Sequence, residues 1–277
     1  MLRQRIMTAL VLLAIIVPAI TSAPPWVWGL VSLLMLSIAG FEWGRLLDSK
    51  RGSWLLCGAL GASGAIYLVW RTSAANAVVS GAVVLLSAAS LAFWLSIGLI
   101  SLVRGHRIGS GWATGLLLLS ACWVALFELR LIGAAMLVSS MAIVWVADIG
   151  AYFAGRAFGR HKLAPHISPG KTWEGVAGGV AAVLVVALLV LLLAPGSGDS
   201  VLSSRLVREL GWPISAAVLT ALAGLSVAGD LYESLLKRRA GVKDSGAILP
   251  GHGGVLDRID ALIPTMPGCL LLLQLLR

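Results

Sequence analysis

Apolar runs of about twenty residues recur from one end of this sequence to the other. A helix needs about 20 predominantly apolar residues to cross the hydrocarbon core of a bilayer. Hydrophobic residues make up 59% of the chain and charged residues 12%, whereas roughly a quarter of the residues in a soluble domain are charged. The pattern therefore predicts an all-α integral membrane protein, a polytopic helical bundle.

We predict about nine transmembrane helices from the runs that approach the spanning length. The range is about eight to ten, because the run from Ala74 to Val103 is long enough for one tilted helix or for a helix and a re-entrant piece. The predicted spans are Met7–Ile20, Trp26–Phe41, Trp54–Trp70, Ala74–Val103, Gly111–Phe127, Ile132–Ile149, Thr172–Ala194, Pro213–Gly229 and Ile259–Leu276.

The basic residues predict the orientation of the chain. When the N-terminus is placed in the cytoplasm and the spans alternate, 16 of the 21 Lys and Arg fall on the inner side and 5 on the outer side. Cytoplasmic loops of membrane proteins carry such an excess of basic residues. The net charge of +9 is then explained by anionic lipid head groups beside these loops. We therefore expect membrane lipid, and no nucleic acid, as the partner of the basic surface.

Polar residues that could take part in chemistry are concentrated in the second half of the chain. Residues 1–147 contain nearly uncharged spans with short connections, and we predict that they form a scaffold. Residues 148–277 form the predicted catalytic transmembrane region, with cytoplasmic loops at 150–171 and 230–258.

The first polar segment, residues 148–175, begins with an acid at the end of a predicted span and continues as a basic loop. Its Gly-Lys-Thr tripeptide at 170–172 resembles part of a P-loop, but a P-loop has a glycine five residues before the second glycine. Pro165 occupies that position, so we reject the P-loop. A basic turn before a helix could hold an anion, and an ordinary positively charged cytoplasmic loop is the alternative.

The second polar segment begins at Asp230 and is more specific. If it is helical, spacings of three and four place Asp230, Ser234 and Lys237 along one face. Asp257 and Asp260 are three residues apart, at the start of the last predicted span. Carboxylates at a bilayer edge are costly and usually need a cationic partner, and Mg²⁺ commonly binds one or two carboxylates with water and substrate phosphate.

Other residues of this segment could bind phosphate. The stretch from Pro250 to Gly254 lets the backbone approach a ligand closely. The candidate cations are Lys237, Arg238, Lys243 and Arg258. The combination predicts Mg²⁺-assisted chemistry on a phosphate. The structural alternatives are solvated charges at Glu233 and Asp244, an ordinary loop residue at His252, and pairing of Asp257 and Asp260 with Arg258 and other bases.

The same segment resembles the signature of phosphatidate cytidylyltransferases. The residues that carry the resemblance are Ser234-x-x-Lys237-Arg238, Lys243-Asp244, Gly246, Pro250-Gly251-His252-Gly253-Gly254 and Asp257-Arg258-x-Asp260. The segment from Asp148 to Gly175 and the N-terminal residues 3–9 are similar to the family as well. The resemblance covers the whole chain, strongly in its second half and weakly in its first.

The resemblance implies transfer of CMP from CTP to phosphatidate, giving CDP-diacylglycerol and pyrophosphate at the cytoplasmic face of a bacterial inner membrane. It implies Mg²⁺, with K⁺ as a candidate second cation, held by Asp230, Asp257 and Asp260. The implied catalytic residues are these three with Ser234 and Lys237. The expected substrate-binding residues are Ser168, Lys171, Arg238, Lys243, His252 and Arg258.

Two other functions are compatible with parts of the pattern. A CTP-dependent lipid kinase would share the nucleotide and metal residues, although the complete signature favours cytidylyl transfer. An anion transporter would show polar, broken helices near the midplane of two related halves, whereas the charges here cluster at one face. A homodimer is compatible with the sequence, because the spacing Gly175-x-x-x-Gly179 permits close helix packing, but the sequence does not determine the oligomeric state.

Overall fold

The computed structural model describes residues 2–47, 50–73, 81–106 and 108–276, and most of them are helical. In chain order the elements are α1 (Leu2–Thr21), α2 (Pro25–Leu46), α3 (Lys50–Ser73), α4 (Gly81–Phe93), a π-helical turn (Trp94–Gly98), α5 (Leu99–Arg104), α6 (Trp112–Ile132), α7 (Ala134–Phe158), β1 (Lys162–Ala164), β2 (Ser168–Thr172), α8 (Trp173–Leu193), a 3₁₀ turn (Pro195–Ser200), α9 (Leu202–Arg239), α10 (Leu256–Ile259) and α11 (Leu262–Leu275).

The number of membrane helices agrees with the predicted range. Within the described ranges, eight helical segments are long and apolar enough to cross a membrane. One of them, Gly81–Arg104, joins α4, the π turn and α5, so the described part of the predicted span from Ala74 is one helix; residues 74–80 lie outside the described residues. The last predicted span corresponds to α11, whose 14 residues are about 21 Å long at ~1.5 Å per residue.

Two helices extend further than the apolar runs that predicted them. Helix α7 continues to Phe158, so Asp148 lies inside a helix and not at its end. Helix α9 continues from the predicted span to Arg239, which confirms the helical placement expected for Asp230, Ser234 and Lys237. The predicted boundaries were too early because they marked the end of apolar sequence, whereas a helix continues until a residue interrupts its hydrogen bonds.

The loop predicted at 150–171 contains a β-hairpin that the sequence analysis did not anticipate. Strands β1 and β2 are antiparallel, and Lys162 lies opposite Thr172. The Thr172 side chain then caps α8, because its hydroxyl accepts a hydrogen bond from the Gly175 amide at 3.1 Å. The hairpin therefore delivers Lys171 directly to the N-terminus of α8.

Helices α7 and α8 pack closely because small residues line both contacting faces. A side-chain carbon at Gly179 would lie 2.6 Å from the Ala147 carbonyl oxygen, and one at Gly178 would overlap Ala154. Gly175 also faces α7, where a side-chain carbon would lie 3.0 Å from the Ala151 carbonyl oxygen. The Gly175-x-x-x-Gly179 spacing thus serves packing within one chain and supplies no argument for a homodimer.

Helix α6 lies at the centre of the bundle and packs against α2, α3, α4, α7 and α11. Twelve of its residues are buried, among them an unbroken stretch from Ala121 to Leu129. This core supports α2 and α11, which both approach the polar residues of the second half. The first half is therefore in contact with the region predicted to be catalytic.

Candidate functional site

The two polar segments meet in the structure, as the sequence predicted. Helices α8 and α9 form a pair that returns the chain to the hairpin, and Lys171 Nζ lies 2.6 Å from Asp230 Oδ2. Both side chains remain partly exposed. The ion pair therefore joins the basic hairpin to the part of α9 that carries Asp230.

A cavity of about 450 Å³ surrounds this ion pair. It lies between α7, β2, α8 and α9, and its charged and aromatic lining consists of Asp148, Tyr152, Arg156, Lys171 and Asp230. The Arg156 guanidinium donates to the Tyr152 hydroxyl at 3.0 Å. A cavity that combines two cations with two carboxylates can hold phosphate together with a metal ion.

A second cluster lies on the next turns of α9. Lys237 Nζ lies 2.6 Å from Asp257 Oδ1 and also contacts the carboxylate of Glu233. Glu233 is only 2% exposed, so the alternative that it is a solvated surface charge is wrong. Its burial follows from its place on α9, since Tyr232 and Leu236 beside it belong to the core.

Asp257 is held by more donors than the other acids predicted in the site. Its Oδ2 accepts hydrogen bonds from the Ser245 amide at 3.0 Å, the Ser245 hydroxyl at 3.0 Å and the Gly254 amide at 2.9 Å. Burial alone would raise the pKa of Asp257, but bonds from Lys237 and the Gly254 amide outweigh it and lower the pKa to about 2. Asp257 is therefore an ionised anchor that joins Lys237 to the loop before α10.

Asp260 is placed differently, with fewer protein donors. Its Oδ1 accepts a hydrogen bond from the Ala261 amide at 2.7 Å. Burial and then the negative charge of Asp230 raise the pKa of the Asp260 carboxyl above its usual value. Two carboxylates that repel each other in this way favour a cation between or beside them.

The predicted metal residues are not all gathered together. Throughout the described ranges, no three His, Cys, Asp or Glu side chains are grouped closely enough to hold a metal ion by themselves. Mg²⁺ does not require such a group, because it commonly binds one or two carboxylates and completes its shell with water and phosphate. Asp230 accepts bonds from Lys171 and Ser234, and Asp260 accepts one from the Ala261 amide, so each keeps lone pairs for a metal. The two oxygens of Asp257 accept four bonds from Lys237 and the loop, which leaves less room for a metal.

Three further predicted residues lie between α9 and the hairpin. Ser234 donates to Asp230 Oδ1 at 3.3 Å, so it orients that carboxylate from one turn away. Arg238 lies at the end of α9, where Nε donates to the Ile167 carbonyl oxygen at 3.4 Å. Ser168 begins β2 and is half-buried. Of the three, Arg238 joins the helix that carries Asp230 to the hairpin.

The remaining predicted residues lie in the loop between α9 and α11. Arg258 Nε donates to the carbonyl oxygen of His252 at 3.0 Å. Asp257 pairs with Lys237, which is one of the other bases that the structural alternative allowed, and the ion pairs of the described residues include none between Asp257 and Arg258. Lys243 is exposed.

Glu42 of α2 is a buried acid beside the candidate site that sequence reasoning did not identify. This side chain is fully buried (0% exposed) and accepts a hydrogen bond from the Leu256 amide at 2.7 Å. The signal was present, because an ionisable residue at the end of a membrane span is by itself a functional candidate. A second contact from the first half joins the Thr8 hydroxyl to the Pro250 carbonyl oxygen at 2.9 Å.

Comparison with known proteins covers nearly the whole chain. The model of the cytidylyltransferase family matches residues 3–276. A phosphatidate cytidylyltransferase of Pseudomonas aeruginosa is 37% identical over 96% of this chain and 95% of its own length. One from Haemophilus influenzae is 33% identical over 96% of each chain, and one from Bacillus subtilis is 46% identical over 48% of this chain and 45% of its own. This chain belongs to the cytidylyltransferase family.

Proposed function

We propose that this membrane protein is a phosphatidate cytidylyltransferase, which makes CDP-diacylglycerol and pyrophosphate from CTP and phosphatidate. Relatives of that name match it over nearly their full length. The structural observation that carries the proposal is the contact between Lys171 and Asp230, because it brings the basic hairpin and the start of the second polar segment together in one cavity. The names of the relatives favour this activity over the lipid kinase and the transporter.

The reaction joins a phosphate oxygen of phosphatidate to the α-phosphorus of CTP. The bond from that phosphorus to the bridging oxygen breaks, and pyrophosphate leaves with the electron pair. The nucleophile is already an anion near neutral pH, so the site needs no strong base and His252 is not required as one. Catalysis then depends on positioning the substrates and neutralising their charge.

Positive charge that can neutralise the substrate phosphates is present both in the cavity around Lys171 and in the cluster around Lys237. Lys171 and Arg156 line the cavity and are suited to the nucleotide phosphates, while Lys237 is held between Glu233 and Asp257. Asp230 and Asp260 would hold Mg²⁺, with K⁺ as a candidate second cation. Bound Mg²⁺ would neutralise and orient phosphate oxygens during the displacement.

Labelled CTP tests the activity and separates it from the kinase alternative. Purified protein with Mg²⁺ and phosphatidate should move an α-phosphate label from CTP into a lipid product, because the CMP unit is transferred. A γ-phosphate label should remain water-soluble as pyrophosphate. Transfer of the γ label to a lipid would identify a kinase, and transfer of neither label would reject both enzymes. A reaction without phosphatidate is the control.

We expect Lys171→Ala to lower kcat/KM for CTP by roughly ten- to a hundredfold. A charged hydrogen bond is worth ~1.5–3 kcal/mol, and each ~1.4 kcal/mol corresponds to tenfold in rate. Lys162→Ala is the matched control, because this exposed lysine lies opposite Thr172 in the same hairpin. Steady-state kinetics that are near normal for Lys171→Ala would mean that this lysine serves only membrane orientation.

Reporter fusions should place the site on the cytoplasmic side of the membrane. We expect a fusion after Leu249 to report the cytoplasm and a fusion after Ser200 to report the outside, because basic residues favour the inner side. A fusion at the C-terminus should also report the outside, which requires the short helix α11 to cross. A cytoplasmic signal at Ser200 would contradict the predicted alternation of spans.

A further inference from the structure

Glu42 occupies an unusual position for a side chain of the predicted scaffold. It lies near the end of α2, is fully buried, and accepts hydrogen bonds from residues more than two hundred positions later in the chain. Oε1 accepts from the Val255 amide at 3.2 Å, and Oε2 accepts from the Leu256 amide at 2.7 Å and is 3.2 Å from the Ser245 hydroxyl oxygen. We call the loop between α9 and α10, residues 240–255, the signature loop. The Glu42 carboxylate therefore joins two separate stretches of this loop and its junction with α10.

The loop is shaped to admit this carboxylate. A side-chain carbon at Gly254 would lie 2.6 Å from Glu42 Oε2, and one at Gly246 would overlap Oε1. The glycines allow both stretches of loop to approach the acid more closely than any other residue would permit. The acid cannot easily move aside, because several hydrogen bonds hold it in a buried position.

Glu42 and Asp257 share one donor, the Ser245 hydroxyl, and the amides that donate to them belong to the same loop and to the first residue of α10. The Ser245 hydroxyl oxygen lies 3.2 Å from Glu42 Oε2 and 3.0 Å from Asp257 Oδ2, and its single proton can serve only one of them at a time. The Ser245 and Gly254 amides both donate to the same oxygen of Asp257. This arrangement leaves Asp257 Oδ1 directed at Lys237.

We propose that Glu42 is a positioning residue for the transfer reaction, because it fixes the loop that orients Asp257 and, through Asp257, the ammonium group of Lys237. The inference rests on the proposed function. Glu42 acts through Ser245 and the loop amides and does not itself touch the substrates. Burying a carboxylate is costly unless donors satisfy it, and an apolar side chain could fill the same space without that cost. A role in packing alone therefore does not explain an acid here.

The substitution Glu42→Gln tests the proposal with little change in size. The glutamine amide must turn its NH₂ towards a donor of the loop, so at least one hydrogen bond between residue 42 and the loop is lost and the loop is held less firmly. We expect kcat to fall on the order of ten- to a hundredfold, with KM for CTP close to that of the unmodified protein because Lys171 is untouched. Hydrogen exchange measured by mass spectrometry should become faster in residues 243–256 and stay unchanged elsewhere.

Glu128→Gln is the matched control. Glu128 is 1% exposed and lies on α6, where it binds Tyr67 and Arg71 away from the signature loop. Its substitution removes a buried carboxylate of the first half without touching the loop. We expect this variant to keep kcat and to leave exchange in residues 243–256 unchanged.

A second variant keeps the test decisive if Glu42→Gln does not fold. Ser245→Ala removes the hydroxyl between the two acids, so by itself it should reduce kcat and make exchange in residues 243–256 faster. Where both variants fold, their losses of activity should not add fully, because both act through one network. Fully additive losses, or a fall in kcat without faster loop exchange, would overturn the proposal, as would unchanged kcat in both variants. Exchange requires no substrate, so it separates failure of this inference from failure of the proposed function.

Discussion

Asp257→Asn is expected to lower kcat by roughly a hundred- to a thousandfold while leaving membrane insertion intact. A charged hydrogen bond is worth ~1.5–3 kcal/mol, more than one such bond to Asp257 is lost or weakened, and each ~1.4 kcal/mol of activation free energy is tenfold in rate. Asp257 lies 2.6 Å from Lys237 through one oxygen, and the other accepts from Ser245 and Gly254. An asparagine must direct its NH₂ at one of these donors, so either Lys237 or the loop loses its partner.

Initial rates at saturating Mg²⁺, normalised to the amount of protein in the membrane, measure this effect. Asp244→Asn is the matched control, because it removes the charge of an exposed acid in the same loop and should have little effect. Turnover like that of the unmodified protein for Asp257→Asn would exclude Asp257 from the catalytic arrangement. It would also remove the route by which Glu42 is proposed to act.

Asp260→Asn is expected to reduce activity by about a hundredfold or more at limiting Mg²⁺, since a bound metal contributes several kcal/mol of charge stabilisation. The backbone of Asp260 packs against α9 beside Asp230, since a side-chain carbon at Gly229 would overlap the Asp260 carbonyl oxygen, and a cation relieves the repulsion between the two carboxylates. Neutralising one of the two acids weakens the attraction for the metal. EDTA should stop the reaction of the unmodified protein, and added Mg²⁺ should restore it.

Binding of Mn²⁺, measured by electron paramagnetic resonance without substrate turnover, tests the same assignment directly. We expect weaker binding for Asp260→Asn and nearly normal binding for Asp257→Asn, because Asp257 is already occupied by protein donors. Asp199→Asn, in the 3₁₀ turn between α8 and α9, is the control. Normal Mn²⁺ binding and turnover for Asp260→Asn would remove this residue from the metal site. Loss of binding in Asp257→Asn would restore the three-carboxylate set that the sequence implied.

The membrane class of this protein follows from its sequence because apolar length is a local property. In the bilayer, the backbone N–H and C=O groups of each long apolar run must form hydrogen bonds within one helix. Most spans could therefore be identified without tertiary information. The face that carries Asp230, Ser234 and Lys237 was predictable for a similar reason, since helical spacing determines which side chains share a face. The approach of Lys171 to Asp230 followed from the return of one helical hairpin to the same side.

Local patterns could not reveal the contacts made between distant segments. The boundaries of α7 and α9, and the hairpin before α8, were missed because polar composition was taken to mark loops. The use of Gly175 and Gly179 within the chain depended on which helix lay beside them. Sequence spacing alone offered no means of choosing between packing inside the chain and packing against a second copy.

The sequence by itself determined the helical membrane architecture, the polar segments and the resemblance to a family. Apolar runs, helical spacing and the signature motif all depend on residues that are close together in the sequence. Only the tertiary structure decided that Asp257 pairs with Lys237 and that Glu42 of the first half holds the signature loop. Glu42 and Leu256 are more than two hundred positions apart. Their hydrogen bond forms because the core brings α2 beside α10, and no local pattern in the sequence specifies that contact.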